Sequence, residues 1–248
     1  LISNMPQPKS PPQRMRKTAA QALSEIQPIA HETMSRRVYN DLRELLMSGQ
    51  LQPGEKLTLK ALTTALGTSA MPIREAMRQL GAEMALEFLP NRSVRVPVMS
   101  KTRFRELLLV RSSLESLAIE QAVLHMTDSE LDLAEAAAER FANAMGAKTL
   151  NVARVIQSNK DLHFAIYRAA RLPTLLSMIE TLWLQVGPVL NVDMRQGSKR
   201  VSEAPSVQHH AAVIQALRKR DGAAASAALL GDLHAAARVI LESDALPD

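Results

Sequence analysis

At 248 residues the chain exceeds what one ordinary core needs, which favours two domains of unequal size. Hydrophobic residues make up 46%, aromatics only 3%, and glycines number nine, a mix that disfavours a β-sandwich or barrel and fits helices packed through Leu, Ala, Ile and Met. The absence of cysteine excludes disulfide frameworks, thiol catalysis and cysteine-ligated zinc, leaving His, Asp, Glu and Asn as metal ligands. No stretch of 18 uncharged apolar residues occurs, and the start, Leu1 to Pro6, lacks a signal peptide's apolar segment. The expectation is a soluble cytoplasmic protein with no membrane partner.

The net charge of +5 is unevenly placed: residues 1–30 carry four Lys/Arg against one acid, residues 31–99 nine against seven, and residues 100–248 carry 17 of each. A basic front module facing a polyanion, followed by a neutral module with another task, accounts for this distribution. An incidental basic tail accounts for it equally well.

Residues 1–30 hold Pro6, Pro8, Pro11, Pro12 and Pro28 among Lys9, Arg14, Arg16 and Lys17, a composition that predicts a flexible arm. From Ser35, a candidate N-cap, Val38, Leu42, Leu45 and Leu46 recur at helical spacing until Gly49. Gln52-Pro53-Gly54 predicts a turn, and Leu59, Leu62 and Leu66 a short second helix ended by Gly67. Ser69 is placed to cap a third helix, with Pro72 at a position that has no intrahelical N–H to lose. Ile73, Met77 and Leu80 form its buried stripe, leaving Arg74 and Arg78 on another face. Residues 86–89, 90–93 and 94–96 then read as strand, tight turn and strand with a basic tip. Three short helices and a basic hairpin make a winged helix-turn-helix over residues 31–98.

Beyond Pro97 the pattern is helical throughout. Ser100 is a candidate cap, with Phe104, Leu107, Leu108, Leu114, Leu117 and Ala118 as the first stripe, and Thr127-Asp128-Ser129-Glu130 is a capping box opening a second helix. Further segments run over roughly 149–171, 173–192, 204–220 and 222–243, with Gly197-Ser198-Lys199 in a polar loop. No fixed-period repeat occurs, so residues 99–248 read as a compact all-α bundle. The fold class is mainly α: a winged helix-turn-helix followed by a helical bundle.

Three spaced elements carry a specific resemblance: Ser48-Gly49-Gln50-Leu51-Gln52-Pro53-Gly54-Glu55-Lys56-Leu57, Ala65-Leu66-Gly67-Thr68-Ser69 and Pro72-Ile73-Arg74-Glu75-Ala76-Met77. Together they resemble the N-terminal domain of GntR-family transcriptional regulators. Val110-Arg111-Ser112-Ser113-Leu114-Glu115 and Ala216-Leu217-Arg218-Lys219-Arg220-Asp221 resemble the all-helical FCD-type C-terminal domain of the FadR-like branch. The resemblance implies DNA contact by Lys60, Arg74 and Arg92, with backbone or shape contacts from Ser69 and Met71. Ala70, Met84 and Ser93 depart from the family pattern, the last two standing where it carries glycine. On physical grounds Arg74 is the best base reader, because its planar fork pairs bidentately with guanine.

In the bundle, Asn159 and His163 are four residues apart and share a helix face, while His210 and Asp232 fall on two later helices. The resemblance matches these four to the metal-ligand positions of FCD-type domains. Two imidazoles, one carboxylate and an amide oxygen can hold one Zn²⁺, Ni²⁺, Mn²⁺ or Fe²⁺ and leave positions open for a ligand's carboxylate. His209 and His234 are alternative ligands, and Asp161 falls off the site face. Arg111 matches the arginine that such domains aim at the effector, whereas a salt bridge to Glu115, one turn on, is the structural alternative. The reading that follows is a regulator, by family habit a repressor, that binds a double-stranded DNA operator as a homodimer and responds to a small carboxylate effector. The competing reading is a metal-dependent enzyme whose His/Asp site activates water.

Overall fold

The structure, a computed structural model, describes residues 33–90, 93–190, 204–243 and 246–248, and its residues from Met34 to Asp248 form one compact unit. The proline-rich arm, Arg92 at the wing tip and the Gly197-Ser198-Lys199 loop lie outside the described residues.

Helix α1 (Met34–Met47) buries Val38, Leu42 and Leu46. Ser35 is not its cap: it lies inside the first turn, and its hydroxyl donates to Glu75 on the third helix. Gly49 closes the helix in the left-handed conformation (φ 62°), with Gly49 N–H on Leu46 O and Gln50 N–H on Leu45 O. Helix α2 (Leu59–Leu66) is capped by Thr58, whose side chain accepts from Ala61 N–H, and is ended by left-handed Gly67. Helix α3 (Ala70–Ala82) turns Ile73, Ala76, Met77 and Leu80 inward. Burial of each of the larger ones, Ile73, Met77 and Leu80, stabilises the fold by roughly 1.5–3 kcal/mol. Ser69 occupies the N-cap position with extended backbone, yet its side chain makes no capping bond.

The end of α3 departs from the usual chemistry. Met84 N–H reaches Gly81 O and Ala85 N–H reaches Leu80 O, the paired bonds of a helix terminus that calls for a left-handed residue. Met84 supplies it at φ 57°, where glycine is the residue that pays no Cβ penalty. The turn sends Ala85 and Leu86 back into the core.

Strands β1 (Lys56–Leu57), β2 (Glu87–Phe88) and β3 (Val94–Arg95) form an antiparallel sheet in the order β1-β3-β2. The wing hairpin matches expectation. Strand β1 does not appear in the periodicity, because it is two residues long and exists only through pairing, Lys56 with Arg95 and Leu57 with Val94.

Among the described residues six helices follow: α4 (Lys101–His125), α5 (Asp128–Met145), α6 (Val152–Ala169), α7 (Pro173–Leu190), α8 (Pro205–Arg218) and α9 (Gly222–Glu242). Ser100 caps α4 through Arg103 N–H, and Thr127 with Glu130 forms the full capping box of α5. Arg220, itself left-handed after α8, donates to Val123 O and Met126 O at the open end of α4. Helix α4 touches α6, α7 and α9, and α8 packs between α5 and α9. Leu117 does not join the buried stripe of α4: it is 43% exposed, in register with Val110 (39%) and Leu124 (69%). Helix α9 alone among the described helices is long and apolar enough to cross a membrane by composition, and here it packs against α8 and α4.

The winged helix meets the bundle along α1 and α7. A Cβ at Gly187 on α7 would stand 2.8 Å from Leu46 O and 3.0 Å from Met47 Cα, so only glycine permits this approach.

Candidate functional site

On the outer face of the winged helix, Lys60, Ser69, Met71, Arg74 and Arg78 are all exposed. Burial of Ile73, Met77 and Leu80 fixes the rotation of α3 and so turns Arg74 and Arg78 outward. Arg74, Arg78, Leu59, Phe88, Leu89 and Pro90 line a hollow of about 300 Å³ between α3 and the wing. Arg74 has no ion pair among the described residues, so its guanidinium is available to a groove. Arg92 lies outside the described residues.

The second site lies inside the bundle. Helix α6 contributes Asn159, His163 and Tyr167, one turn apart on one face, α8 contributes His210, and α9 contributes Asp232. His163, His210 and Asp232 are buried, and one ligand atom from each lies within 4.8 Å of the other two. His163 Nε2 is 3.3 Å and His210 Nε2 is 3.5 Å from Asp232 Oδ2. Asn159 lines the same cavity as His163 and Asp232, between α4, α6, α7 and α9. That cavity is about 20 Å³ as closed here, room for an ion or a water molecule. His210 also borders a groove of about 860 Å³ between α5 and α8.

His163 Nε2, both nitrogens of His210 and Asp232 Oδ1 are buried without a hydrogen-bond partner. Unsatisfied polar atoms at this depth are costly, and their grouping on His163, His210 and Asp232, with one ligand atom from each within 4.8 Å of the others, marks a place where another group belongs. Burial by itself would raise the Asp232 carboxyl. The imidazoles of His210 and His163, 3.5 and 3.3 Å from its Oδ2, outweigh that burial and hold the group well below the usual carboxylate range. The donor set therefore fits a divalent ion: two imidazoles and an ionised carboxylate, with Asn159 beside them.

The alternatives separate cleanly. His234 is exposed and pairs with Ser112 Oγ at 3.3 Å, and His209 packs its ring against Gly231. Asp161 is engaged by Gln157 and Arg140, away from the cavity.

Arg111 lines the cavity, and the salt bridge to Glu115 is also present: Arg111 Nε donates to Glu115 Oε1 at 2.7 Å. Its guanidinium lies over the Trp183 ring, 5.2 Å from the centroid. Glu115 Oε1 also accepts from Trp183 Nε1 at 3.1 Å, while Oε2 accepts from Tyr167 OH. Tyr167 and Trp183 are both buried. Their shared link to Glu115 depends on contacts 52 and 68 residues apart in the chain, which no local pattern announces.

Residues 34–96 match the family described as "Bacterial regulatory proteins, gntR family", and residues 106–235 match the FCD domain. Among curated proteins, the chain is 33% identical over 161 residues to the HTH-type transcriptional regulator McbR of Escherichia coli, covering 65% of this chain and 72% of that protein. It is 26% identical over 200 residues to the HTH-type transcriptional repressor GlaR of the same organism, covering 76% and 87%. The solved structure of E. coli McbR/YncC superposes with a TM-score of 0.78 at 27% identity, covering 85% of this chain and 98% of that one. A putative GntR regulator from Rhodococcus shares the fold at a TM-score of 0.65 and 22% identity. Both families and these relatives are regulators rather than enzymes, and the metal-dependent enzyme reading has no support among them.

Proposed function

The chain belongs to the GntR family of bacterial regulatory proteins and carries an FCD domain behind its winged helix, and from that premise we propose a ligand-responsive repressor whose bundle binds a divalent metal and a small carboxylate. The observation that carries the reading is the gathering of buried His163, His210 and Asp232, with one ligand atom from each within 4.8 Å of the others and with buried ring nitrogens and Asp232 Oδ1 lacking a hydrogen bond. In it, residues 31–98 are the DNA-binding module, residues 99–248 the effector and dimerisation module, and work on DNA places the protein in the cytoplasm. The name of GlaR, a repressor, supports the sign of the response.

His163, His210 and Asp232 would hold the ion, with Asn159 at a fourth position. A bound ion supplies a Lewis-acidic point that takes carboxylate oxygens. Arg111, its Nε held by Glu115, turns the rest of its fork toward the same cavity and offers charge-assisted hydrogen bonds to the anion. The closed cavity of about 20 Å³ is too small for a metabolite, so binding requires the surrounding helices to shift. Helix α7 lines that cavity and also bonds to the end of α3, so such a shift reaches the DNA-reading helix. Val110, Leu117 and Leu124, exposed at seven-residue spacing on α4, supply an apolar seam for a second copy.

Metal analysis of protein purified without chelator, with thermal shift in acetate, lactate and succinate, tests the reading. Stoichiometric metal and a carboxylate-dependent rise in melting temperature are expected, a ligand at 100 times its Kd stabilising by about 2.7 kcal/mol. No metal after addition of divalent ions, with no carboxylate response, would overturn it.

A further inference from the structure

Glu115 is fully buried and accepts three hydrogen bonds, from Arg111 Nε, Trp183 Nε1 and Tyr167 OH. Guanidinium and indole nitrogens can only donate, so Glu115 Oε1 is an acceptor twice over. Tyr167 has a single hydroxyl proton, which this arrangement commits to Glu115 Oε2. What remains on the phenolic oxygen is lone-pair density, and it faces His163 Nδ1 at 2.8 Å.

From this chain of polarity we infer that Glu115 and Tyr167 are positioning residues that hold a proton on His163 Nδ1 and thereby fix Nε2 as the nitrogen aimed at the ion. A donor must stand opposite an oxygen whose proton is already spent, so Nδ1 carries hydrogen. Nε2, buried and without a hydrogen-bond partner, is then the open nitrogen, 3.3 Å from Asp232 Oδ2. Neither ring nitrogen of His210 has a hydrogen-bond partner, Nε2 lying 3.5 Å from Asp232 Oδ2 and the ring packing on Phe141 at 4.5 Å between centroids. His163 is thus the pre-set ligand, and His210 is free to choose its nitrogen when the ion arrives. The same carboxylate also holds Arg111, so one buried Glu orients both a metal ligand and the effector arginine. The consequence for metal affinity rests on the metal-site reading above; the placement of the proton does not.

The test uses the full chain with ¹⁵N-labelled histidine and long-range ¹H–¹⁵N NMR, together with zinc titration. In the wild type, His163 is expected to show a protonated Nδ1 both without metal and with zinc bound. Tyr167→Phe removes the acceptor, so the Nδ1 proton is expected to lose its fixed, slowly exchanging signal and zinc affinity to fall about 10–100-fold. Far-UV circular dichroism keeps a folding failure distinct, and the wild-type spectrum decides the point even if the variant does not fold. His163 protonated at Nε2 and bare at Nδ1 in the wild type would overturn the inference, as would an unchanged Nδ1 signal and zinc affinity in folded Tyr167→Phe. Nδ1 protonated in a wild type that binds no zinc would support the positioning and sink only the metal reading.

Discussion

The side-chain amide of Gln185 on α7 donates to the carbonyl of Glu83, the residue that closes α3, over 3.1 Å. Two residues earlier, Trp183 on the same helix donates to Glu115 inside the bundle. Residues two apart on an α-helix point about 200° apart, so α7 presents one face to the candidate sensor site and the other to the DNA-reading helix. Arg103 of α4 adds a bond to Gln185 Oε1 at 3.1 Å, Tyr39 of α1 donates to both oxygens of Glu83, and the backbones of α1 and α7 meet at Gly187. Gln185→Leu keeps the size and removes the bond. The expected outcome is near-normal DNA and metal affinity with the effector's influence on DNA binding weakened by about 1 kcal/mol, roughly fivefold. Anisotropy titrations with and without the carboxylate found by thermal shift measure this; an unchanged response would remove α7 from the coupling.

For the DNA face, Arg74→Ala is expected to cost about 1–3 kcal/mol of specific affinity and to relax base preference at one position, with the fold intact. Lys60→Ala is expected to weaken binding across sequences and reduce the slope of log K against log salt by about one. Selection from a random DNA pool followed by salt titration separates the two. Equal loss of specific and nonspecific binding in Arg74→Ala would mean that it contacts phosphate instead.

Met84 holds a left-handed backbone at φ 57° with its side chain exposed, so it bears a strain that glycine would not. Met84→Gly is expected to raise stability by up to about 1 kcal/mol, the relief of the Cβ penalty being offset in part by the greater entropy of glycine in the unfolded chain. Urea unfolding with an unchanged m-value checks this. A loss of stability would indicate that the Met84 side chain, which lies 3.9 Å from Arg103 Nη2, contributes more than its backbone costs.

The seam of Val110, Leu117 and Leu124 on α4 yields a prediction about assembly. Leu117→Lys combined with Leu124→Lys is expected to convert a dimer to a monomer in light scattering while leaving helix content unchanged, because both side chains are exposed in the single chain. A dimer that survives both changes would place the interface elsewhere.

The winged helix was legible because its signals are local: a stripe at Ile73, Met77 and Leu80, a left-handed glycine at position 67, a hairpin with a turn between two short apolar runs. Thr127 with Glu130 likewise announced the start of α5, since a capping box closes within four residues. Ser35 misled, because a residue type favoured at caps can spend its hydroxyl elsewhere, here on Glu75, whereas Ser69 does stand at the N-cap of α3 but without a side-chain bond. Leu117 misled for a different reason: periodicity finds apolar faces without saying whether this chain or another covers them. In the bundle, the spacing of Asn159 and His163 and the family resemblance pointed to the side chains of the candidate site, of which His163, His210 and Asp232 lie together. The second layer behind them, Tyr167, Glu115 and Trp183, is set by tertiary contacts, and only the coordinates brought those side chains together.

Control of DNA binding by the buried His163, His210 and Asp232 cluster is the core of the proposed function. It is tested most directly by measuring the affinity of the metal-loaded protein for its selected DNA while titrating acetate, lactate and succinate, side by side with His210→Ala. At least one carboxylate is expected to shift the wild-type Kd by fivefold or more, while His210→Ala binds the DNA normally and shows no shift. Equal shifts in both proteins, or none in the wild type across the three, would contradict it.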